Sequence, residues 1–502
     1  MYKIGFDTEK YLQEQSKYIL DRVQGFDKLY LEFGGKLIGD KHAARVLPGF
    51  DEDAKMKLLA TIKDQVEIII CVYAADIENN KIRGDYGITY GLEVLRLIDE
   101  YHNYGIPVNS VLITRYRGER NAKIFMKNLE NRGMRVHVHH EIEGYPTDLD
   151  AIFGEDGFEK NAYIPTTKPV VVVSAPGANS GKLTTCLNQL YHDYKQGRRA
   201  GYAKFETFPV WNLSLKHPVN TAYESATVDI KDVNMIDNYH LEAYGETAVS
   251  YNRDAQIFPV IRRIIENITG QPSFYKSPTD MGVNMIASAI TDNDVVIEAA
   301  NQEIIRRSFD IENAYKKGLL DDESLHRMHF IMEETGLTPE QRPSVLAARN
   351  YEKSLRERFD SEDVQAAIAI ELSNGHTVTG RTGDVMDASA AAIVNALKYL
   401  AGIADSIDLI SLNVLETIQG LKRDSLQSRT STLSANEVLI ALAISAVTNP
   451  MAKVAYDNLS RLNHGQAHST VILSNESLQT LKRLGMNVTN DPVYESSHLF
   501  FQ

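Results

Sequence analysis

Between about residues 27 and 210 the chain repeats two hydrophobic periods in turn. Segment 66–73, Val66-Glu67-Ile68-Ile69-Ile70-Cys71-Val72-Tyr73, is an almost unbroken apolar run of the kind that forms a parallel strand buried on both faces. Segment 89–104 instead sets Leu92, Leu95, Ile98 and Tyr101 at helical spacing, which predicts an amphipathic helix. The same alternation predicts strands over 28–33, 108–114, 134–139, 170–173 and 201–205, and helices over 51–64, 119–132 and 182–194. Repeated β–α units imply an α/β fold with a doubly wound, mostly parallel sheet and right-handed crossovers.

The pattern then changes. Segment 219–245 is polar and rich in Asp, Asn and Tyr, and reads as irregular. Helical periods dominate up to about residue 356, including one long helix over 291–309 that absorbs Asp294-Val295-Val296-Ile297-Glu298. From about Asp360 a further α/β section follows. Segments 366–372 and 377–379 flank Asn374-Gly375 as a hairpin, because Asn-Gly supplies the positive φ of a tight turn. Helices are predicted over 385–400, from the capping box Ser434-Ala435-Asn436-Glu437 toward Val447, and over 478–484. Strands are predicted over 409–414 and 469–473. The expected organisation is an N-terminal α/β domain over 1–245, a mainly helical insertion over 246–358 and a C-terminal α/β domain over 359–502. There is no internal repeat.

A chain of 502 residues is too long for one ordinary core. Its net charge of −14 argues against general nucleic-acid binding, which needs a basic face. Cys71 and Cys186 are the only cysteines and both sit in apolar patterns, as small hydrophobes in a reducing compartment do. The first residues contain no apolar core of a leader, and no apolar run nears the ~20 residues of a membrane span. A cytoplasmic protein without membrane or nucleic-acid partners is expected. At this size a symmetric homodimer is the base-rate expectation.

The strongest chemical signal is Ala175-Pro176-Gly177-Ala178-Asn179-Ser180-Gly181-Lys182-Leu183-Thr184, after an apolar β-branched run and before a helix. Backbone N–H groups and the positive end of a helix would face an anion there, with Lys182 as a mobile charge. This is a phosphate-binding-loop layout with departures, since Pro176 stands at the first glycine position and Leu183 where Ser or Thr usually holds magnesium. Thr184 would substitute only with a shifted helix start. A glycine-rich turn with an exposed lysine reads the same way. Gly177, Ala178, Asn179, Ser180, Gly181, Lys182 and Thr184 are therefore candidate ligand contacts. Lys204, at the end of the following strand with Glu206 beyond it, gives the segment a resemblance to dethiobiotin-synthetase-type P-loop proteins over about forty residues.

In open parallel sheets the ligand crevice lies beyond the carboxyl ends of the strands. The corresponding residues here include Lys36, Asp76, Arg115, Arg117, His139 and His140. Lys36 and Arg115 are candidate anion contacts. The two imidazoles of His137 and His139 on one strand face suit either a metal or a polar strand edge. Asp229, Asp232, Asp237, His240 and Glu242 form a denser group, able to hold magnesium or exchange protons; Asp229, Asp237, His240 and Lys204 are the candidate catalytic residues.

Several longer stretches have a specific resemblance. Phe33-Gly34-Gly35-Lys36-Leu37, His42-Ala43-Ala44-Arg45-Val46-Leu47-Pro48-Gly49-Phe50, Lys81-Ile82-Arg83-Gly84-Asp85, Tyr251-Asn252-Arg253-Asp254 and Ser277-Pro278-Thr279-Asp280-Met281-Gly282-Val283-Asn284 resemble uncharacterised protein family 0371, nearly end to end. The resemblance implies an N-terminal α/β region with a P-loop-like segment, a helical insertion and a C-terminal α/β domain. It implies no activity. From the residues, the expected function is nucleotide- or phosphate-dependent catalysis of the phosphoryl-transfer or ligase type, using ATP or another nucleotide with magnesium. The alternatives are a non-catalytic binder of a phosphorylated small molecule and a metal-dependent hydrolase.

Overall fold

The computed structural model describes residues 3–83, 87–359, 366–428 and 430–495. The Gly84-Asp85 end of one family motif and the section boundary near Asp360 lie outside these residues. The chain divides into two compact units, one of Ile4–Glu224 with Asp232–Ala300, the other of Met1–Lys3, Ser225–Lys231 and Asn301–Gln502.

The first unit is built on six parallel strands: β1 (Lys28–Phe33), β2 (Val66–Tyr73), β3 (Val108–Thr114), β4 (Val136–Val138), β5 (Val170–Ser174) and β6 (Ala200–Phe205). Their spatial order is β4-β3-β2-β5-β1-β6. Tyr30 pairs with Val171 on one side and Tyr202 on the other, which places the register of β1 between β5 and β6. Ile68–Ile70, Val111–Ile113 and Val170–Val173 are fully buried, so both faces of the central strands are covered. On one face Tyr30, Cys71, Val171, Val173 and Tyr202 pack with Cys186, Leu187 and Leu190 of α2 (Lys182–Lys195), and with Phe258, Ile261 and Ile265 of α4 (Asn252–Thr269).

The helix predicted over 89–104 is α1 (Tyr90–Asn103), capped by the Thr89 side chain. Its buried stripe differs from the expected one. Val94, Leu97, Ile98 and Tyr101 face the core, whereas Leu92 is 54% exposed. The stripe 94, 97, 98, 101 follows the i, i+3, i+4, i+7 rows more closely than 92, 95, 98, 101.

Segment 219–245 is not irregular. It contains most of α3 (Pro218–Ala226), a strand Asn234–Ile236 paired antiparallel with Val249–Tyr251, and a helix Asn238–Tyr244. Its polar residues serve as caps and ties. The Asp237 carboxylate caps the last helix, and the Asn234 amide donates to the Asn220 carbonyl. The long helix expected over 291–309 is Asn293–Lys316.

In the second unit, Ala367–Glu371 and Thr377–Arg381 form the expected hairpin, with Glu371 opposite Thr377 and Gly375 at φ 82°. They belong to a four-stranded mixed sheet with Gln466–Ser469 and Asn487–Asn490. Residues 409–414 are not a strand. Leu409 and Ile410 are buried, and a helix begins after Ser411, over Leu412–Gly420. A short apolar run carries too little periodicity to separate the two cases. The strand predicted over 469–473 ends where that segment begins, at Ser469.

Candidate functional site

The strand order creates a switch point. From β2 the chain continues outward to β3, while from β5 it crosses β1 to reach β6. The crevice between the carboxyl ends of β2 and β5 is where such sheets leave room for a ligand. The segment after β5 is Ala175–Gly181, and α2 opens at Lys182 with Gly181 as its N-cap at φ 87°. Asn179 is also left-handed, at φ 57°.

The carbonyls of this segment are held from below. The Thr114 hydroxyl donates to Ser180 O at 2.8 Å, the Ser180 hydroxyl to Gly177 O at 2.9 Å, and the Thr185 hydroxyl to Gly181 O at 2.8 Å. The Arg115 guanidinium lies 3.5 Å from the centre of the Tyr73 ring and donates to Asn179 O. With the carbonyls turned inward, the N–H groups face the other way. Among the described residues, no acceptor meets the backbone N–H groups of Ala178 through Leu183, and no hydrogen bond or ion pair engages Lys182 Nζ. Tyr90 closes one side: a Cβ at Gly177 would lie 2.3 Å from its hydroxyl, so this close approach requires glycine. Burial raises the pKa of the Tyr145 hydroxyl to about 12, and Thr184 opposes the rise. Burial also pushes the Cys71 thiol up to about 12, so it stays protonated.

Two strands along the same rim, about 10 Å away by strand spacing, Lys204 ends β6. Its ammonium lies 2.7 and 2.8 Å from the two Asp254 oxygens and 3.0 Å from Glu206, and it also contacts the Tyr251 hydroxyl. Burial works to lower its pKa, but Asp254, Glu206 and Glu32 outweigh that and raise it, so Lys204 is a fixed cation. Glu206 behaves differently. Burial lifts its pKa, the neighbouring Asp254 carboxylate adds to the rise, Lys204 opposes it, and the result is about 7. Tyr251 donates to the Glu206 carboxylate at 2.8 Å. Gly34 makes room for Glu206, since a Cβ there would lie 2.4 Å from its Cγ. Glu32 lies between Val173 and Lys204 in register, and the Tyr202 hydroxyl donates to its carboxylate at 2.6 Å.

The other sequence candidates are more scattered. Asp237 lies beneath His240: its carboxylate accepts from His240 N, from Thr279 N and from the Thr279 hydroxyl. His240 Nδ1 is 3.1 Å from the Ser277 hydroxyl, and the ring lines a cavity with Trp211. Asp229 is exposed on the turn Val228–Ile230, in the other compact unit. Lys36 is half-buried, its carbonyl taking a hydrogen bond from Lys55. His139 is buried against the Ala162 carbonyl, and burial lowers its pKa to about 4. Among the described residues, no three His, Cys, Asp or Glu side chains converge to hold a metal ion.

The sequence reading assigned no role to Tyr73, Tyr90, Trp211, Tyr251 or Asp254. For the last two a signal existed, because Tyr251-Asn252-Arg253-Asp254 is one of the recognisable family stretches.

Comparison with known proteins adds a family. Residues 4–336 match the N-terminal model of the domain of unknown function DUF1846, and residues 340–500 match its C-terminal model. The chain belongs to the DUF1846 family. It is 58% identical over 499 residues to a UPF0371 protein of Clostridium tetani, with 99% of each chain covered. A UPF0371 protein of Clostridium botulinum (strain Loch Maree / Type A3) has the same identity and coverage. One from Clostridioides difficile is 56% identical, with 99% of this chain and 100% of the relative covered. The resemblance to family 0371 read from the motifs therefore extends over the chain, and none of these names assigns an activity. Among the described residues, no helix is long and apolar enough to cross a membrane.

Proposed function

We propose that this DUF1846 protein is a nucleotide- or phosphate-binding enzyme of the phosphoryl-transfer or ligase type, with ligand phosphates at Gly177–Lys182. The observation that carries the reading is the row of backbone N–H groups from Ala178 to Leu183 that meets no acceptor among the described residues, at the start of a 14-residue helix and beside Lys182, whose ammonium meets no partner among them either. Such a row, with its carbonyls tied back by Thr114 and Arg115, matches an anion far better than water, because the donors are already oriented. Phosphoryl transfer needs mainly positioning and charge stabilisation. Lys182 would supply charge at the phosphates, and Lys204 and Glu206 would act farther along the rim.

Calorimetry with ATP, GTP, ADP and inorganic pyrophosphate, each with and without magnesium, tests the reading. The wild-type protein is expected to bind at least one of them. Lys182→Ala should weaken that binding at least about tenfold, as the loss of one charge-assisted contact would. Its melting temperature should not change, because among the described residues no hydrogen bond or ion pair engages the Lys182 ammonium. Absence of binding by the wild-type protein to all four would overturn the reading.

A further inference from the structure

Beside the Lys204 cluster lie two cavities within the first unit, of about 320 and about 50 Å³. Trp211, Thr279, Gly282 and Asn284 line both. The larger is walled by the rings of Tyr18, Trp211, Phe274 and Tyr275; the smaller reaches Lys204, Glu206 and Asp254. Sharing these four residues, the two cavities adjoin, the aromatic one next to the charged one.

The charged end is short of donors. The Trp211 indole N–H donates to Asn284 O, and the Asn284 amide donates to the carbonyls of Glu206, Thr207 and Pro209. The Thr279 hydroxyl donates to Asp237. Arg22, which lines the larger cavity, is committed to the carbonyls of Asp280 and Gly282. Against these stand two carboxylates, Glu206 and Asp254, which share the Lys204 ammonium and, for Glu206, the Tyr251 hydroxyl. Four carboxylate oxygens offer about eight acceptor positions, and one ammonium plus one hydroxyl fill at most half. The local charge is one cation against two anions once Glu206 is ionised. Glu206 and Asp254 keep 22% and 18% of their side-chain surface exposed, so both are within reach of a ligand.

The geometry points to a binding site for a small arylalkylamine, its ring held by the walls around Trp211 and its ammonium group donating to Glu206. An ammonium brings the three donors and the positive charge that this end lacks, and aromatic walls favour a cation beside them. A carboxylate or phosphate would meet excess negative charge and donors already spent. This site goes beyond the phosphate reading and does not depend on it.

Glu206 is faced by Lys204 from β6, by Tyr251 and Asp254 at the start of α4, and by Tyr223 from α3, with the Arg253–Asp232 pair behind Tyr223. Because it is only partly ionised near neutral pH, an arriving ammonium displaces its proton to solvent. Binding should therefore release protons near pH 7 and strengthen as the pH rises toward 8.

The test uses the full chain with tyramine and benzylamine as probes, and phenylacetate and p-cresol as counter-probes. Affinity is read by saturation-transfer NMR and by calorimetry in two buffers of different ionisation enthalpy. Both amines should bind with dissociation constants of about 1 mM or tighter, p-cresol at least about tenfold more weakly, and phenylacetate not at all. Glu206→Gln should weaken the amines at least about tenfold and abolish the buffer dependence. Lys182→Ala should leave amine binding unchanged even where it removes nucleotide binding, which keeps the two readings separable. Failure of both amines to bind, equal or tighter binding of phenylacetate, or amine affinity unchanged in Glu206→Gln would each overturn the proposal.

Discussion

Replacing Glu206 by Gln should make the protein more stable at pH 8 and leave it nearly unchanged at pH 4.5. The reason is burial. Glu206 loses water on folding and sits beside Asp254, and Lys204 only partly compensates, so its pKa rises from 4.5 to about 7. Below pH 4.5 the carboxyl is protonated in both folded and unfolded chains, and the rise costs nothing. As the pH climbs, the unfolded chain ionises first, and the folded state loses stability until about pH 7. Above that both forms are ionised and the cost levels off. A tenfold difference in proton affinity is worth ~1.4 kcal/mol, so the rise corresponds to about 3 kcal/mol. Gln has the shape of the protonated form and does not titrate, so the variant lacks this cost. Urea unfolding between pH 4.5 and 8 measures it. Trp211 is the only tryptophan, and its fluorescence reports on the unit that contains Glu206. The expected difference between variant and wild type grows from near zero to about 3 kcal/mol in favour of Gln. A difference independent of pH, or one favouring Glu at pH 8, would refute the reasoning.

Two further substitutions probe the same unit. Gly177→Ala places a methyl group 2.3 Å from the Tyr90 hydroxyl, so ring or loop must move; pyrophosphate binding should weaken at least about tenfold, and chemical denaturation should show a loss of about 1–3 kcal/mol. Lys55→Met strips the cation from Asp40, which is buried with Lys55 at 2.9 Å. Burial alone would raise the Asp40 pKa, and Lys55 holds it below the usual value. The stability from that lowering is present above pH 3.8 and lost as the pH falls; in the variant, denaturation at pH 7 should show a loss of about 3–5 kcal/mol that shrinks as the pH is lowered.

The elements most legible in the chain are those whose surroundings leave one solution. Strands 66–73 and 108–114 occur with the expected bounds: the first is a near-continuous, largely β-branched run and the second centres on Val111-Leu112-Ile113, as suits strands covered on both faces. The capping box at Ser434 and the turn at Asn374-Gly375 are equally local, since their hydrogen bonds close within three or four residues. Misreadings came where local and tertiary demands diverge. In segment 219–245 the Asp and Asn content suggests a loop, whereas packing uses those residues as caps and ties. At 409–414 a helix start stands where a strand is expected, because two adjacent buried residues, Leu409 and Ile410, fit either period.

The candidate site divides along the same line. The sequence by itself determined the parallel strands, the glycine-rich turn into α2, and the presence of Lys182 at the helix start and Lys204 at a strand end, because these follow from period, turn chemistry and sequence neighbours. Only the tertiary structure decided what meets them. Inserting β5 between β1 and β2 makes the switch point, and it brings Thr114 to a loop 66 residues later. The turn into α4 carries Asp254 back to Lys204 across 50 residues, and burial there makes Glu206 unlike an ordinary glutamate. A side chain's period records which face it turns, but its partner and its solvent are set by strand order and register, which no local pattern encodes.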